Sequence, residues 1–234
     1  LSPGVDMGSA IYLKQLLIGP MANFVYLIAD PESREAAVVD AAWDVDAILR
    51  VCEEDGLTLK ANLVTHFHPD HLGGKFMGQH IPGAAELLER NVDVRTWIHK
   101  DEADYVARIA GLSRSDLVLT DADSELALGN LKIRFLHTPG HTPGSQCFLV
   151  DGNLVSGDTL FIGSCGRVDL PGSDPRQLYD SLVNKLKRLP DETVLYPGHD
   201  YADQPTSTIG AEKARNMFLR FDRLDQFLAT MGYA

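Results

Sequence analysis

The sequence is poor in cysteine and in basic residues, and these shortages exclude several classes of protein. Its three cysteines, Cys52, Cys147 and Cys165, are too few and too scattered for a disulfide framework or a CxxC zinc site. No run of about 18 apolar residues occurs, so we expect no transmembrane helix. With 21 lysines and arginines against 33 acidic residues, the net charge of −12 argues against a nucleic-acid backbone as the main partner.

The remaining composition is that of an ordinary globular protein. Hydrophobic residues make up 44% and charged residues 23% of the 234 residues, which predicts one domain spanning 1–234. The opening LSPGVDMGSA lacks the basic and long apolar regions of a secretory signal, and free thiols suit a reducing compartment. We therefore expect a cytoplasmic protein that acts on a small molecule, without nucleic-acid or membrane partners, and that can form a homodimer.

Strand and helix patterns are mixed in both halves of the chain. Alternating or continuous apolar runs predict strands, at 11–18, 24–29, 36–41, 61–66, 97–99, 131–137, 146–150, 153–158 and 193–199. Amphipathic patterns predict helices, at 44–55 (ended by Gly56), within 83–110, at 174–188 and at 210–230. Such a mixture suggests an α/β (α+β) fold in which helices lie outside two packed sheets.

The segment THFHPDH at 65–71 places four potential metal ligands within six positions. In an extended strand end His66 and His68 point to the same side, because side chains alternate with period two. A turn that begins at Pro69 can bring Asp70 and His71 towards a second point. Imidazole and carboxylate donors suit zinc, iron or manganese, so one segment can serve two metal ions.

Three further candidate ligands lie later in the chain, each beside a glycine that we expect to leave room for a metal. They are His141 in TPGHTPG, Asp158 in SGDTLF and His199 in YPGHDY. A lone histidine is more often an ordinary core or surface residue, and this interpretation is kept for the histidines outside the motifs: His80, His99 and His137. Several unpaired imidazoles would be costly to bury together without a cation, so the clustered set predicts metal binding.

These motifs resemble those of the metallo-β-lactamase superfamily, with its HxHxDH segment followed by single His, Asp and His ligands. The resemblance runs from about Asn23 to about Tyr201. It implies an αββα sandwich with the site at one edge of the two sheets. It also implies a first metal held by His66, His68 and His141, a second held by Asp70, His71 and His199, and a bridging Asp158. Asp40 matches an acidic position that supports the site in this superfamily.

We predict two adjacent divalent metal ions, zinc in first place with iron or manganese as alternatives, and such a pair would make the chain a hydrolase. Ions roughly 3.5–4 Å apart can hold a bridging water whose pKa falls towards 7, and they polarise a substrate carbonyl or phosphoryl oxygen. Asp70 could steer the resulting hydroxide or shuttle a proton, as its equivalent does in many relatives. A Cys–His enzyme using Cys165 or Cys147 and a purely structural metal protein are the competing classes. Seven ligands exceed the four that a closed structural site needs.

Local sequence resembles the thiol-ester and thiol-metabolism branch, which contains glyoxalase II and the persulfide dioxygenases. The resemblance rests on GDTLFIGSCGRVDLPG at 157–172 and YPGHDY at 196–201. It implies that Arg167 binds a glutathione carboxylate through its planar guanidinium, the alternative being a surface arginine paired with Asp169. It also implies that Tyr201 contacts glutathione, the alternative being a residue of the fold alone.

The branch leaves two enzyme classes open. A dinuclear hydrolase would cleave a thioester of the acyl-glutathione type, whereas a dioxygenase would use one Fe²⁺ held by His66, His141 and Asp158 to oxidise glutathione persulfide. The CGRVD stretch and the 35 residues after His199 favour a dioxygenase, because a glyoxalase II helical domain is longer. HPDHLGG, GDTLF and the long region between His71 and His141 favour the hydrolase, which we adopt. The activities of a lactonase, a β-lactamase and a phosphodiesterase also stay open, but the sequence contains no feature specific to any of them.

Overall fold

The computed structural model describes residues 11–91 and 93–233. The opening LSPGVDMGSA lies outside these residues, and so does the prediction made from it. In the described part, no helix is both long enough and apolar enough to span a membrane.

Sixteen strands form in the described residues, and most carry the apolar runs or alternation that a pleated, half-buried surface selects. They are β1 (Tyr12–Ile18), β2 (Asn23–Ala29), β3 (Glu35–Val39), β4 (Thr58–Leu63), β5 (Gly74–Phe76), β6 (Gln79–Ile81), β7 (Arg95–His99), β8 (Leu117–Thr120), β9 (Glu125–Leu128), β10 (Leu131–His137), β11 (Gln146–Val150), β12 (Asn153–Gly157), β13 (Leu160–Phe161), β14 (Ser164–Cys165), β15 (Val194–Pro197) and β16 (Ser207–Thr208).

Seven α-helices connect the strands within residues 11–91 and 93–233, and several begin at a side chain that accepts a backbone N–H, as Asp44 does from Ala47. The helices are α1 (Val45–Glu54), α2 (Pro69–Leu72), α3 (Ala84–Arg90), α4 (Ala103–Ala110), α5 (Pro175–Tyr179), α6 (Ile209–Arg215) and α7 (Leu224–Thr230). Short helical segments of other pitch are the 3₁₀ turns Lys100–Glu102, Arg114–Asp116, Leu186–Arg188 and Met217–Leu219 and the π segment Asp180–Lys185.

Two six-stranded sheets face each other. Their strand orders are β1-β2-β3-β4-β7-β8 and β16-β15-β12-β11-β10-β9. The layer between them is apolar and includes Tyr26, Leu63, Phe135 and Phe148, all nearly inaccessible to solvent. The outer face of the first sheet packs on α1 and α3, and the outer face of the second packs on α5, α6 and α7. The predicted αββα sandwich is thus confirmed.

Strand direction decides where the functional segments lie. In the first sheet β3, β4, β7 and β8 are parallel, so their carboxyl ends meet at one edge. In the second sheet β12 and β15 are parallel, and β10 has the same direction because β11 is antiparallel to both β10 and β12. Backbone hydrogen bonds join the sheets at this edge, from Phe24 to Gly198 and from Gln146 to Thr65.

Several predicted boundaries are wrong for reasons of tertiary structure. The strand expected at 61–66 ends at Leu63, because Thr65 turns out of the sheet to donate two hydrogen bonds to Asp40. The helix expected at 210–230 is interrupted at Asn216, whose side chain donates to the carbonyls of Phe161 and Ser164. Seven strands of only two to four residues were not predicted, because runs this short carry little periodicity: β5, β6, β8, β9, β13, β14 and β16.

Candidate metal centre

The three single-ligand motifs come together because each follows a strand that ends at the shared edge. His141 lies in the loop after β10, Asp158 directly follows β12, and His199 lies two residues beyond β15. All three strands run in the same direction, so their ends deliver the side chains to one place. The imidazoles of His141 and His199 are almost fully buried there.

The THFHPDH segment leaves β4 and turns through α2, a single helical turn. Proline suits the first position of a helix, where no N–H is needed, and Pro69 occupies it here. After this turn Asp70 and His71 lie with His199, whereas His66 and His68 lie with His141, and His66 and His71 both approach Asp158. One short segment therefore contributes to two separate groups of donors.

The first donor set consists of His66, His68 and His141. Nδ1 of His68 lies 3.0 Å from Nε2 of His66 and 3.1 Å from Nε2 of His141. His66 and His141 are buried, whereas His68 is half-buried at the mouth of the site. These three nitrogens converge on one point.

The second donor set consists of Asp70, His71 and His199. Nε2 of His71 and Nε2 of His199 are 3.1 Å apart, and Oδ2 of Asp70 lies 3.3 and 3.4 Å from them respectively. All three side chains are buried.

Asp158 faces both sets. Its Oδ1 lies 3.3 Å from Nε2 of His71, and its Oδ2 lies 3.4 Å from Nε2 of His199 and 3.7 Å from Nε2 of His141. Oδ1 is buried, and no donor in the described part of the chain meets it with hydrogen-bond geometry. A carboxylate in this position can bridge two cations.

Hydrogen bonds to the outer ring nitrogens fix the tautomers of the histidines. Nδ1 of His71 donates to Oδ2 of Asp40 at 2.9 Å, and Nδ1 of His199 donates to the carbonyl of Met21 at 2.9 Å. Nδ1 of His141 donates to the carbonyl of Arg167 at 2.8 Å. In each neutral ring the Nε2 lone pair must then point into the site, which is how metal-binding histidines are held in proteins.

This arrangement fits a cation in each set. The Nε2 lone pairs of His71 and His199 face each other at 3.1 Å, and a cation shared between them would remove their repulsion. The nitrogens of the first set lie equally close together, at 3.0 and 3.1 Å from Nδ1 of His68. Zinc–nitrogen bonds of 2.0–2.1 Å in a tetrahedron separate neighbouring ligand atoms by about 3.3 Å, close to the separations seen here. Imidazole and carboxylate donors suit zinc, iron and manganese alike.

The two sets differ in their affinity for protons. Burial and the neighbouring imidazoles lower the pKa of His66 well below its usual value and the pKa of His68 to about 4. Burial alone would also lower the pKa of His71, but the carboxylates of Asp70, Asp158 and Asp40 raise it well above the ordinary value. The second set therefore attracts a proton more strongly than the first.

Asn23 and Glu102 support the site and were not predicted from the sequence. The amide of Asn23 donates to both the carbonyl and Oδ2 of Asp70, each at 3.0 Å, while Nε1 of Trp43 donates to its oxygen. Glu102 accepts hydrogen bonds from the loops of both His66 and His141. Neither had a detectable signal, because Asn23 begins an ordinary strand and Glu102 lies in the charged stretch KDEAD.

Arg167 and Tyr201 lie at the rim of the metal centre, where they contact different neighbours. The guanidinium of Arg167 is exposed and makes two hydrogen bonds to Asp169, at 2.6 and 2.7 Å, which is the pairing that the sequence left as an alternative. The ring of Tyr201 is exposed and stacks on His199, with ring centroids 4.6 Å apart and planes 7° from parallel. Substrate binding by either residue stays a prediction.

The glycines beside the ligands make room for protein atoms, which corrects the expectation that they leave space for a metal. A Cβ on Gly198 would lie 2.4 Å from Oδ1 of Asp158, and a Cβ on Gly157 would lie 2.6 Å from Thr65. Gly157 also has a φ of +49°, a conformation that other residues rarely adopt. These glycines allow the loops to approach closely enough to bring the ligands together.

The remaining histidines and the cysteines lie apart from the two donor sets. His80 pairs with Glu86 on the surface, and the ring of His99 is stacked on His137. Burial raises the pKa of Cys165 to about 12 and that of Cys147 to about 11, so neither is a thiolate at neutral pH. The competing Cys–His enzyme therefore lacks an activated nucleophile.

Comparison with known proteins places this geometry in a family. The model of the metallo-beta-lactamase superfamily matches residues 18–199. A probable polyketide biosynthesis zinc-dependent hydrolase, PksB of Bacillus subtilis (strain 168), is 28% identical over 88% of this chain and 85% of its own length. The mitochondrial persulfide dioxygenase ETHE1 of Homo sapiens is 30% identical over 99% of this chain and 85% of its own.

A solved structure gives the same result in three dimensions. The crystal structure of TTHA1623 in a di-iron-bound form is 32% identical, with a TM-score of 0.70, and the match covers 88% of this chain and all of that one. The family model, these relatives and the paired donor sets agree. The chain is an enzyme that belongs to the metallo-beta-lactamase superfamily.

Proposed function

We propose that the protein is a dinuclear metallohydrolase that cleaves a thioester of the acyl-glutathione type. The observation that carries the proposal is the position of Asp158, whose two oxygens face two complete donor sets. An enzyme with one metal would not need Asp70, His71 and His199 as ligands. The Bacillus relative named as a zinc-dependent hydrolase and the di-iron neighbour support this proposal.

The residues of the chain would each have a defined part in hydrolysis. His66, His68 and His141 would hold one ion, Asp70, His71 and His199 the other, and Asp158 would contact both. Two divalent ions bound there would make a bound water acidic enough to react at neutral pH, and they would also polarise the thioester carbonyl. Asp70 is ionised, because His71 and the Asn23 amide hold its pKa well below the usual value despite burial. Its carboxylate could orient that water by accepting a hydrogen bond from it.

Substrate recognition would involve Tyr201 and Arg167, the two residues at the rim of the metal centre. The exposed ring of Tyr201 covers one face of His199 and offers an aromatic surface beside the second donor set. Arg167 would have to exchange its partner Asp169 for a substrate carboxylate, which is feasible because the pair is exposed and such pairs contribute little stability. A glutathione moiety carries suitable carboxylates.

A persulfide dioxygenase is the second candidate, favoured by the 30% identity with the human enzyme. His66, His141 and Asp158 would then form the two-histidine, one-carboxylate set that holds a single Fe²⁺. The three ligands of this single-iron site are a subset of the seven that the hydrolase would use.

The His199→Ala variant separates the two enzyme classes, since His199 belongs to the second set alone. We would count metals per chain in protein purified anaerobically, then assay lactoylglutathione hydrolysis and oxygen uptake with glutathione persulfide. If the protein is a hydrolase, the wild type should bind about two metals per chain, and His199→Ala should lose most of its thioesterase activity because one of the two ions that act together is lost. One iron per chain, with oxygen consumption that survives the substitution and no thioester cleavage, would replace the hydrolase with the dioxygenase.

A further inference from the structure

Glu102 is a carboxylate with no access to solvent, and it lies at the edge of the sheets where the ligands collect. It ends the 3₁₀ turn that follows β7, the strand next to β4 in the first sheet. No lysine, arginine or histidine in the described part of the chain forms an ion pair with it. Burying a carboxylate without a cation is costly unless hydrogen bonds compensate, so its contacts require an explanation.

Three hydrogen bonds connect Glu102 to two different loops. Its Oε2 accepts the backbone N–H of Phe67 at 2.7 Å, and Phe67 lies between His66 and His68. Its Oε1 accepts the hydroxyl of Thr142 at 2.7 Å and the backbone N–H of Gly144 at 2.6 Å, in the loop that carries His141. One side chain thus holds the backbone segments of all three residues in the first donor set.

The loop that carries His141 packs directly against the side chain of Glu102. A Cβ on Gly144 would lie 2.4 Å from Cγ of Glu102. Because glycine has no Cβ, the loop can approach the carboxylate at this position. The second donor set has separate supports, namely Asp40 for His71, Asn23 for Asp70 and the Met21 carbonyl for His199. The hydrogen bonds of Glu102 involve none of these residues.

We infer that Glu102 is a positioning residue that fixes the separation between the His66–His68 segment and His141, and so sets the metal affinity of the first donor set. Glutamine in its place keeps the length of the side chain but turns an NH₂ group towards one of the N–H or O–H donors. That contact would push one loop away and spread the three nitrogens. The inference rests on the metal binding in the proposed function but not on the reaction catalysed.

The test measures metal affinity in protein whose second set is disabled. In a His199→Ala background, metal-free protein with and without Glu102→Gln would be titrated with Co²⁺, whose visible absorption reports the coordination geometry. We expect the Kd for Co²⁺ to rise about 10- to 100-fold and the tetrahedral absorption to weaken, as is usual when a group behind metal ligands is removed. Thr142→Val, which removes one donor and retains the shape, should give a smaller rise.

Glu212→Gln is the matched control for loss of a buried carboxylate. Glu212 is also buried and accepts a backbone N–H from Gly163, a hydroxyl from Ser207 and the amide of Asn216, yet it contacts no ligand-bearing loop of the first set. Its substitution should lower Tm and leave the Kd for Co²⁺ unchanged.

Two outcomes would overturn the inference, and they differ in what else they affect. In the first outcome, the His199→Ala parent binds Co²⁺, and both variants fold and have a Kd for Co²⁺ within about threefold of the parent's. Glu102 then has only a structural role, and the metal site itself is unaffected. If Glu102→Gln does not fold, Thr142→Val alone decides. If the parent itself binds no Co²⁺, the first metal site fails together with the proposed function.

Discussion

Asp40 and His71 are separated by 31 positions in the sequence, yet Oδ2 of Asp40 lies 2.9 Å from Nδ1 of His71. The same oxygen accepts the hydroxyl of Thr65 at 2.7 Å, and the oxygen of that hydroxyl faces Nδ1 of His66 at 2.9 Å. Asp40 therefore fixes the ring tautomers of a histidine in each donor set, directly in one case and through Thr65 in the other.

We expect Asp40→Asn to weaken the second donor set most. The asparagine NH₂ would face Nδ1 of His71, so the ring would carry its proton on Nε2, which points into the site. The affinity of the second donor set for Zn²⁺ should fall about 10- to 100-fold. The measurement is the number of Zn²⁺ ions bound per chain as a function of the free Zn²⁺ concentration. Asp30→Asn is the control, because Asp30 is a buried aspartate whose partners are backbone N–H groups of Glu32, Ser33 and Asn130. Equal metal loss in both variants would contradict the tautomer argument.

The second donor set should release its metal at higher pH than the first. Carboxylates raise the pKa of His71, so protons compete for that nitrogen over a wide range, whereas the pKa of His68 in the first set is lowered to about 4. As the pH falls from about 8 to 5, the bound metal should decrease from about two ions to one before the last is lost. Equilibration at stepped pH followed by metal analysis checks this. Loss of both ions in a single step would contradict it.

Asp158→Ala should nearly abolish activity under either proposed reaction. The carboxylate faces both donor sets, and one buried oxygen lacks a hydrogen-bond partner in the described structure. Thioesterase and dioxygenase assays of the purified variant, with metal counts and circular dichroism to verify folding, provide the measurement. Activity within about threefold of the wild type would remove Asp158 from the site.

Arg167→Ala should raise KM for glutathione-derived substrates and change kcat little, the pattern of lost uniform binding. The backbone carbonyl of Arg167 still supports His141 in this variant, so metal content should stay the same. Arg223→Ala is a matched control, because Arg223 forms the same exposed two-bond pair with an aspartate two residues later. An unchanged KM would leave Arg167 as a surface partner of Asp169.

Cys165→Ser should keep most of the activity, and iodoacetamide should not inactivate the native enzyme. The thiol is buried, and burial raises its pKa to about 12, so almost no thiolate is present at pH 7. Rates before and after alkylation, together with mass analysis, test this. Stoichiometric inactivation by labelling of Cys165 would restore a cysteine nucleophile as a candidate.

The sequence by itself determined the donor types, their grouping within THFHPDH and the mixed α/β fold. Histidine spacing is a local property, because the turn that begins at Pro69 separates Asp70 and His71 from His66 and His68 within seven residues, even though β4 ends before His66. The periodicity of buried strands is equally local, and most of the long strands were predicted to within a few residues. Assignment to two metal sites needed the family resemblance, because spacing alone does not define it.

Only the tertiary structure decided how the site is supported. Asn23 and Glu102 act through hydrogen bonds to residues that are distant in the sequence, Asp70 and Phe67, and such contacts leave no periodic or motif signal. The roles of the glycines were also invisible, because a missing Cβ matters only when another chain segment fills the space, as Asp158 does beside Gly198. Local patterns specify which atoms can bind a metal, and the packing of two sheets fixes where those atoms lie.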